Sequence, residues 1–513
     1  MFKKKAFLIL LLILVFPATL ALFRPGFFVS DDGDWMVIRL SDFHRSFVAG
    51  QIPVRWAARL NYGYGYPVFN FSYPLSLYWG EGFHLLGFSF VDSIKLVFIF
   101  SFFIAAVLMY FFGRELWGEW GGVLAAIFYT YAPYRLLDTY IRGSLGEAMS
   151  FIFVPLIFWM IAKLGKRQCW RDVAIGALAY AGLLVSHNIM ALLFTPLIFG
   201  YMGYLVITRG RSQRRPYMGF LLMIILGLGL ACFFWLPALY DKQFTVLSQF
   251  SVANFQDHFF NLQQLLAHLG LVQLLTVIFS AIFLTKLRRQ TSFFLFVLAA
   301  TLFLVLPLSL PVWQAIPLLW WVQFPWRLLA VATFCSAVLA GSVSHQWLAM
   351  LLLALVILLN VNHAKPQVFV NQPESFYATN EATTTIQDEY MPIWVKEKPV
   401  SHASQKVALV AGEGLIEKLV FNSKKVNFDL QTKTDSVVQI NTLFFPGWQV
   451  KIDGQPVSLD YDNPQGLITF AVPAGSYRVL AEFGETKIRL TADAISLVSL
   501  LVVAGLLIKD RKK

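Results

Sequence analysis

Long apolar runs separated by short polar connections extend over almost the whole chain. A helix needs about 20 apolar residues to cross the hydrocarbon core of a bilayer. With that length as the criterion, we predict twelve membrane-spanning helices. The predicted spans are residues 6–23, 93–112, 121–137, 147–163, 173–187, 189–207, 217–236, 269–285, 291–310, 327–344, 347–362 and 491–508.

Lysines and arginines gather in alternate connections. Twelve alternating spans place all of these clusters on one side of the membrane, and an excess of Lys and Arg marks the cytoplasmic side. We therefore predict a multi-pass protein of the cytoplasmic (inner) membrane with both termini in the cytoplasm. The clusters are Lys3, Lys4 and Lys5; Arg114; Lys163, Lys166, Arg167 and Arg171; Arg209, Arg211, Arg214 and Arg215; Lys286, Arg288 and Arg289; and Lys509, Arg511, Lys512 and Lys513.

One large polar segment, residues 363–490, has the composition of a soluble domain. Short β-rich runs such as KVALV, VNFDLQ and LITFAV alternate with turn signals such as Asp453-Gly454 and Asn463-Pro464. This pattern predicts an antiparallel β-sandwich outside the cytoplasm. The predicted organisation is a membrane domain at 1–362 with eleven spans and a first outer loop at 24–92, the β-sandwich at 363–490, and the last span with a basic cytoplasmic tail at 491–513. The fold class is a mainly α, polytopic integral membrane protein with a C-terminal extracytoplasmic β-sandwich.

Composition agrees with this assignment and excludes other classes. Residues are 58% hydrophobic and 14% charged, with a mean hydropathy of +0.63, which excludes an ordinary soluble protein. The net charge of +12 does not indicate nucleic-acid binding, because the basic residues lie in short clusters between apolar runs. Cys169, Cys232 and Cys335 lie in or beside apolar runs, so we predict neither a disulfide framework nor a cysteine metal site.

The first outer loop gathers polar residues between Ser30 and Tyr78. Asp31, Asp32 and Asp34 put three carboxylates within four positions. Such a group can hold a general base or bind a divalent cation, and its members shift one another's pKa values. Asp32-x-Asp34 also matches the short D-x-D pattern of many glycosyltransferases. The alternative is a solvated turn, with Asp34 near the N-cap of the next helix.

The predicted topology brings further ionisable residues to the same outer face. Arginines there suit a phosphate or pyrophosphate, because a guanidinium group can bind two oxygens at once. The alternative for each residue is an ordinary helix-boundary position or a structural ion pair. The candidates for substrate or phosphate binding are His44, Arg55, Arg142, Glu147, His187, Asn188, Arg327 and Glu389.

These stretches resemble a known family. SDDGDW, SDFHRSFVAGQIPVRWAARLNYGYGYPVFNFSYPLSLY, YIRGSLGEAMSF, LLVSHNIMALL, VQFPWRLL and DEYMPIW are similar to the 6-pyruvoyl-tetrahydropterin synthase-related membrane protein family. LFFPGWQVKIDGQP and FAVPAGSYRVLAEF resemble the extracytoplasmic β-domain of YfhO-like membrane proteins. Both groups resemble the wider GT-C glycosyltransferase-like group. The family pattern best matches Asp34, His44, Arg55 and Trp56.

The GT-C resemblance implies a membrane glycosyltransferase that takes a sugar from a polyprenyl-phosphate-linked donor at the outer face of the cytoplasmic membrane. The acceptor would be a glycan, a lipid or a protein, and the bilayer and the donor are the expected partners, without nucleic acid. Asp34, Asp32 and Asp31 are the candidate catalytic residues, and Asp32 and Asp34 are the candidate ligands if a divalent cation (Mg²⁺ or Mn²⁺) takes part. The alternative is a non-catalytic transporter or assembly factor for lipid-linked glycans.

Overall fold

The computed structural model describes residues 2–208, 217–249, 254–283, 288–343, 345–385 and 387–509. Helices account for most of these residues, and the β-strands lie almost entirely near the C-terminus. The α-helices are Phe2–Val15, Gly33–Val48, Val68–Phe71, Leu75–Leu85, Phe90–Thr130, Pro133–Leu137, Leu145–Lys166, Trp170–Ser186, Asn188–Thr208, Tyr217–Leu230, Cys232–Asp241, Leu262–Leu269, Leu271–Phe283, Arg288–Val305, Leu310–Ala315, Leu329–Gly341, Gln346–Asn360, Glu374–Thr379 and Lys487–Lys509.

Several of these helices are long and apolar enough to cross a membrane. Within the described ranges six helices meet this requirement, and up to nine do so if each of three bent pairs is one span. The predicted spans 93–112 and 121–137 correspond to the long helical stretch Phe90–Thr130, which breaks at Gly118 (φ 81°, ψ −173°), and the second span extends into the separate helix Pro133–Leu137. The number twelve and the side of each connection stay predictions. Arg209, Arg211, Arg214, Arg215, Lys286, Arg511, Lys512 and Lys513 lie outside the described residues.

Two antiparallel sheets form the C-terminal region. One contains, in spatial order, Gly414–Phe421, Lys425–Thr432, Gly475–Phe483, Trp448–Ile452 and Gln455–Pro456; the other contains Val407–Ala411, Ser436–Leu443 and Leu467–Val472. Alternate residues such as Val426, Phe428 and Leu430 are buried, as expected for strands with one face on a core. The predicted fold class, a helical membrane protein with a C-terminal β region, is confirmed.

The β region packs on the first outer loop. Trp56 is almost fully buried, and its ring centroid lies 5.4 Å from that of Phe483 and 5.8 Å from that of Trp448. The Leu443 amide donates to the Tyr64 carbonyl at 3.0 Å. The two regions therefore share one apolar core.

The stretch before the sheets crosses the base of the outer loop. Phe369–Val370 pairs with Phe27–Phe28 as a short antiparallel ladder. Beyond it, the Ser41 hydroxyl donates to the Tyr377 carbonyl at 3.0 Å. These contacts fix the chain on both sides of the Ser30–Asp34 turn.

Candidate active site

The acidic turn is held against a second outer segment by main-chain hydrogen bonds. The Asp31 amide donates to the Ile141 carbonyl at 3.1 Å, and the Asp32 amide donates to the Arg142 carbonyl at 2.8 Å. Gly143 permits this approach, since it has φ 67° and a Cβ there would lie 2.5 Å from Ser30 Oγ. A side chain at this position would push the two segments apart.

The three acids of the turn have different surroundings. Asp31 and Asp34 are exposed, and the Asp34 carboxylate accepts from the Tyr377 hydroxyl at 3.4 Å. Asp32 is half-buried at the N-cap of the Gly33–Val48 helix, yet its side chain does not cap that helix. Among the described residues its carboxylate has no hydrogen-bond partner.

The charged groups that act on the Asp32 carboxylate are Arg142, Arg39, Asp31 and Arg327. Burial raises the pKa of Asp32 above its ordinary value, and the three arginines oppose that rise. We call Asp32 with these three arginines the arginine cluster. The Asp32 carboxylate, which has no hydrogen-bond partner among the described residues, can accept a proton from a ligand.

Arg142 is the member of the cluster that pairs with carboxylates. Its Nη1 donates to Glu147 Oε1 at 2.9 Å and also to Asp138 Oδ1. The Tyr134 hydroxyl donates to the other oxygen of Glu147 at 3.0 Å. Burial, and then the neighbouring Glu147 charge, raise the pKa of Asp138 well above its ordinary range.

Arg39 and Arg327 are buried and hydrogen-bond only to neutral acceptors in the described part of the chain. Arg39 donates to the hydroxyl and the carbonyl oxygen of Thr384. Arg327 donates to the Val322 carbonyl and the Gln323 side chain. Its Nε has no hydrogen-bond partner and lies 3.7 Å from Glu147 Oε1. Buried guanidinium groups ordinarily pair with an anion, so these two can receive one from a ligand.

His187 and Tyr73 complete the cluster on one side. The ring of Tyr73 lies 4.8 Å from that of His187, and it fits because Gly146 has no side chain. His187 Nδ1 accepts from the Met190 amide at 3.3 Å, so the neutral ring carries its proton on Nε2. Burial raises the pKa of Tyr73 to about 12, which keeps its hydroxyl protonated.

Two stacked aromatic rings underlie the guanidinium groups. Phe324 and Trp326 are nearly parallel, with centroids 5.3 Å apart. Arg327 lies 4.9 Å from the Phe324 centroid, and Arg142 lies 4.7 Å from that of Trp326. Cation–π contacts of this kind orient arginines without neutralising them.

Other predicted site residues lie in different surroundings. His44 follows Asp32 by twelve residues, about 18 Å along the helix axis, and its ring contacts Glu81 at 2.9 Å. Arg55 pairs with Glu485 and Asp493. The structure thus brings together five residues of the predicted set: Asp32, Arg142, Glu147, His187 and Arg327. Within the described residues, six other predicted residues make no side-chain hydrogen bond to these five: Asp34, Asp31, His44, Arg55, Asn188 and Glu389.

Four residues of the site were not among the candidates. Asp138 precedes Arg142 by four positions, the helical spacing of an ion pair, so the sequence carried a signal for it. Arg39, Tyr73 and Tyr134 carried none that separates them from other residues of the same outer segments.

The turn does not fit the predicted divalent cation. Asp32 faces arginines, and Asp34 accepts a hydrogen bond from Tyr377. In the described ranges no three His, Cys, Asp or Glu residues converge as possible metal ligands. Asp32, which is influenced by arginines, and Asp34, which accepts from Tyr377, are therefore a poor donor set for Mg²⁺, because Mg²⁺ prefers near-ideal octahedral oxygen ligands.

Comparisons with known proteins place the chain in a family. The family model of the 6-pyruvoyl-tetrahydropterin synthase related domain, a membrane protein family, matches residues 69–369, more than half of the 513 residues. An uncharacterized protein of Lactococcus lactis subsp. cremoris (strain MG1363) is 23% identical over 241 residues, which are 45% of this chain. This chain covers only 39% of that relative's length.

Solved structures of arabinofuranosyltransferase AftD from Mycobacteria share a partial likeness with the chain. One has a TM-score of 0.47 at 15% identity, over 70% of this chain and 26% of that one. A second, of a mutant, has a TM-score of 0.45 at 17% identity, over 70% of this chain and 27% of that one.

Proposed function

This chain belongs to the 6-pyruvoyl-tetrahydropterin synthase-related family of membrane proteins, and we propose that it is a glycosyltransferase of the GT-C type. It transfers a sugar from a polyprenyl-phosphate-linked donor to an acceptor hydroxyl at the outer face of the cytoplasmic membrane. The bilayer supplies the donor, and the arginine cluster is the reaction centre.

One observation carries this proposal. Arg39 and Arg327 are buried, hydrogen-bond only to neutral acceptors in the described residues, and lower the pKa of a half-buried carboxylate, Asp32, that has no hydrogen-bond partner there. A site with unneutralised guanidinium groups suits a phosphate, and a carboxylate with a raised pKa suits a hydroxyl proton. Sugar transfer from a lipid phosphate requires both groups side by side.

The reaction follows from these two roles. Asp32 accepts the proton of the acceptor hydroxyl while the acceptor oxygen forms a bond to the anomeric carbon. The bond between the anomeric carbon and the phosphate oxygen breaks, and the phosphate leaves with the electron pair. Arg39 and Arg327 bind the negative charge that builds on the phosphate, which lowers the barrier. The tyrosine hydroxyl of Tyr73 stays protonated and can donate to the bound donor.

Asp32→Asn tests the proposal, with Asp34→Asn as the matched control two residues away. Asn keeps the size of the side chain and removes its charge. We expect Asp32→Asn to lower the transfer rate by about 10²–10⁴-fold, as for loss of a general base, and Asp34→Asn to keep most of the activity. The measurements are restoration of the glycan profile of a deletion strain and in vitro transfer, at matched protein levels.

Each other outcome has a defined meaning. Full restoration by Asp32→Asn would overturn catalysis by this residue, and if the triple variant with Asp31 and Asp34 also restores the profile, the transporter or assembly-factor hypothesis replaces the enzyme. A requirement for Asp34 alone would move the base to the residue that best matches the family pattern.

A further inference from the structure

A short segment joins an exposed apolar surface to the arginine cluster. Pro317–Val322 is a 3₁₀ helix, and Pro325–Leu328 is another. Leu318 and Trp321 are 59% and 62% exposed. They are three residues apart, and side chains at that spacing in a 3₁₀ helix lie on the same face. Leu318 and Trp321 therefore form one apolar strip, which we call the lipid strip.

Gln323 turns the chain from the lipid strip to the arginines. Its φ is 69°, a left-handed conformation that is costly for a residue with a side chain. The Gln323 side-chain oxygen accepts from Arg327 Nη1. Strained backbone persists where the surrounding contacts stabilise it. Here the hydrogen bond from Arg327 to the Gln323 side chain holds the guanidinium group beside the turn, a few residues along the chain from the lipid strip.

The surroundings of the lipid strip indicate that it faces lipid near the headgroups. Pro317–Val322 packs against the Asn188–Thr208 helix, which is long and apolar enough to span a membrane. Lys242 Nζ lies 4.5 Å from the centroid of the Trp321 ring. Lysines and tryptophans take such positions at the boundary between headgroups and acyl chains.

We propose that the lipid strip binds the first isoprene units of a polyprenyl phosphate whose phosphate lies at Arg327. The occupant follows from charge complementarity: the segment that bears the apolar strip also accepts the hydrogen bonds of Arg327, whose guanidinium group lies on the Phe324 ring and donates only to neutral oxygens in the described residues. An apolar chain with an anionic end fits both parts at once. This inference rests on the proposed function for the identity of the phosphate, and it adds where the chain of the donor lies.

The test is equilibrium binding to the full-length protein in lipid nanodiscs, with a long polyprenyl monophosphate, farnesyl monophosphate and inorganic phosphate as probes. The Leu318→Ala/Trp321→Ala variant should bind both isoprenyl phosphates about 10-fold to 100-fold more weakly, the effect of losing two apolar contacts. Its binding of inorganic phosphate should not change. Arg327→Lys should weaken all three probes.

Trp347→Ala is the matched control, because Trp347 is 71% exposed and opens a different apolar helix. If this control weakens polyprenyl phosphate binding as much as the double variant does, the lipid strip is only a membrane anchor. If the double variant weakens all three probes equally, it disturbs the arginines, and the contact with the isoprenoid chain is wrong.

The failure of this inference differs from the failure of the proposed function. Tight polyprenyl phosphate binding that depends on the lipid strip, together with no sugar transfer from any polyprenyl donor, would overturn the enzyme and keep the binding site. Transfer activity together with unchanged binding in the double variant would overturn the lipid strip alone. If the wild type shows neither sugar transfer nor polyprenyl phosphate binding that depends on the lipid strip, both proposals are overturned.

Discussion

Two groups of buried arginines contact the first outer loop, and their charges are balanced in different ways. In one group, Arg55 donates to Glu485 and Asp493, and Arg489 donates through Nε and Nη2 to Asp241. In the arginine cluster, Arg142 pairs with Glu147 and Asp138, whereas Arg39 and Arg327 donate only to neutral oxygens within the described residues. We call the first group the junction cluster, since it joins the outer loop, the Cys232–Asp241 helix and the last helix.

The difference separates structural arginines from arginines that suit a ligand. A buried arginine that pairs with a carboxylate has its desolvation offset within the protein, so the pair can hold elements together. An arginine with neutral acceptors keeps its charge for an incoming anion. Burial alone would have given all of these arginines the same role, and the acceptor chemistry sets Arg39 and Arg327 apart from Arg142, Arg55 and Arg489.

The largest effect should come from breaking the junction cluster. Arg489 and Asp241 are both almost fully buried, so Arg489→Met leaves an unpaired carboxylate in the core. Loss of one partner of a buried pair costs about 3–5 kcal/mol of the free energy of unfolding. Thermal unfolding of the purified protein should show this loss, while Arg478→Met, at an exposed strand position, should change it by about 0.5 kcal/mol or less.

A second substitution shows whether the pair is the cause. Adding Asp241→Leu to Arg489→Met removes the unpaired charge and should recover part of the lost stability. If the double variant is less stable than Arg489→Met by a further similar amount, the two side chains do not act as a pair. The claim that the junction cluster has a structural role would then be wrong.

The sequence predicted the arginine cluster better than the junction cluster, for a physical reason. Arg142, Glu147, His187 and Arg327 lie at ends of apolar runs, and span alternation is enough to place them on one face. Arg55 also lies on that face, but its partners Glu485 and Asp493 are more than 400 residues away. No local pattern reports such a contact, so the structural alternative could not be separated from phosphate binding.

The roles of the three acids in the turn, like the partners of Arg55, could not be predicted from the local sequence pattern. The pattern identified the turn, but the roles of Asp32 and Asp34 depend on where the helix begins. The helix starts at Gly33, which directs Asp32 toward the arginines and Asp34 toward Tyr377. Hydropathy, in contrast, predicted the helical membrane class, and turn signals predicted the C-terminal β region, although the Leu75–Leu85 and Leu262–Leu269 helices were not among the predicted spans.

The acid limb of the pH profile tests the arginine cluster at a smaller scale. A proton acceptor works only when deprotonated, so kcat/KM should fall as the pH drops through the pKa of Asp32. Burial raises that pKa, so the fall should begin above the ordinary carboxyl range of about 4. Arg39 opposes the rise, and Arg39→Gln should therefore move the limb to higher pH. Asp34→Asn should leave it in place.

Movement of the limb to lower pH in Arg39→Gln would contradict the sign of this interaction. The other charges that face Asp32 are those of Arg142, Asp31 and Arg327. Asp31→Asn removes a like charge and should shift the limb to lower pH, opposite to Arg39→Gln, which gives the measurement an internal check.

The smallest effect concerns Gln323, which holds Arg327 in place. Glycine adopts φ 69° without strain, so Gln323→Gly keeps the turn and removes only the side chain that accepts from Arg327. Loss of one hydrogen bond should raise the KM for the donor by about 2-fold to 10-fold, with thermal stability nearly unchanged. Gln323→Asn retains an amide oxygen and tolerates the left-handed turn, so it should lie between Gln323→Gly and the wild type. An unchanged KM in Gln323→Gly would show that Arg327 keeps its position through the Phe324 ring and Val322 carbonyl alone.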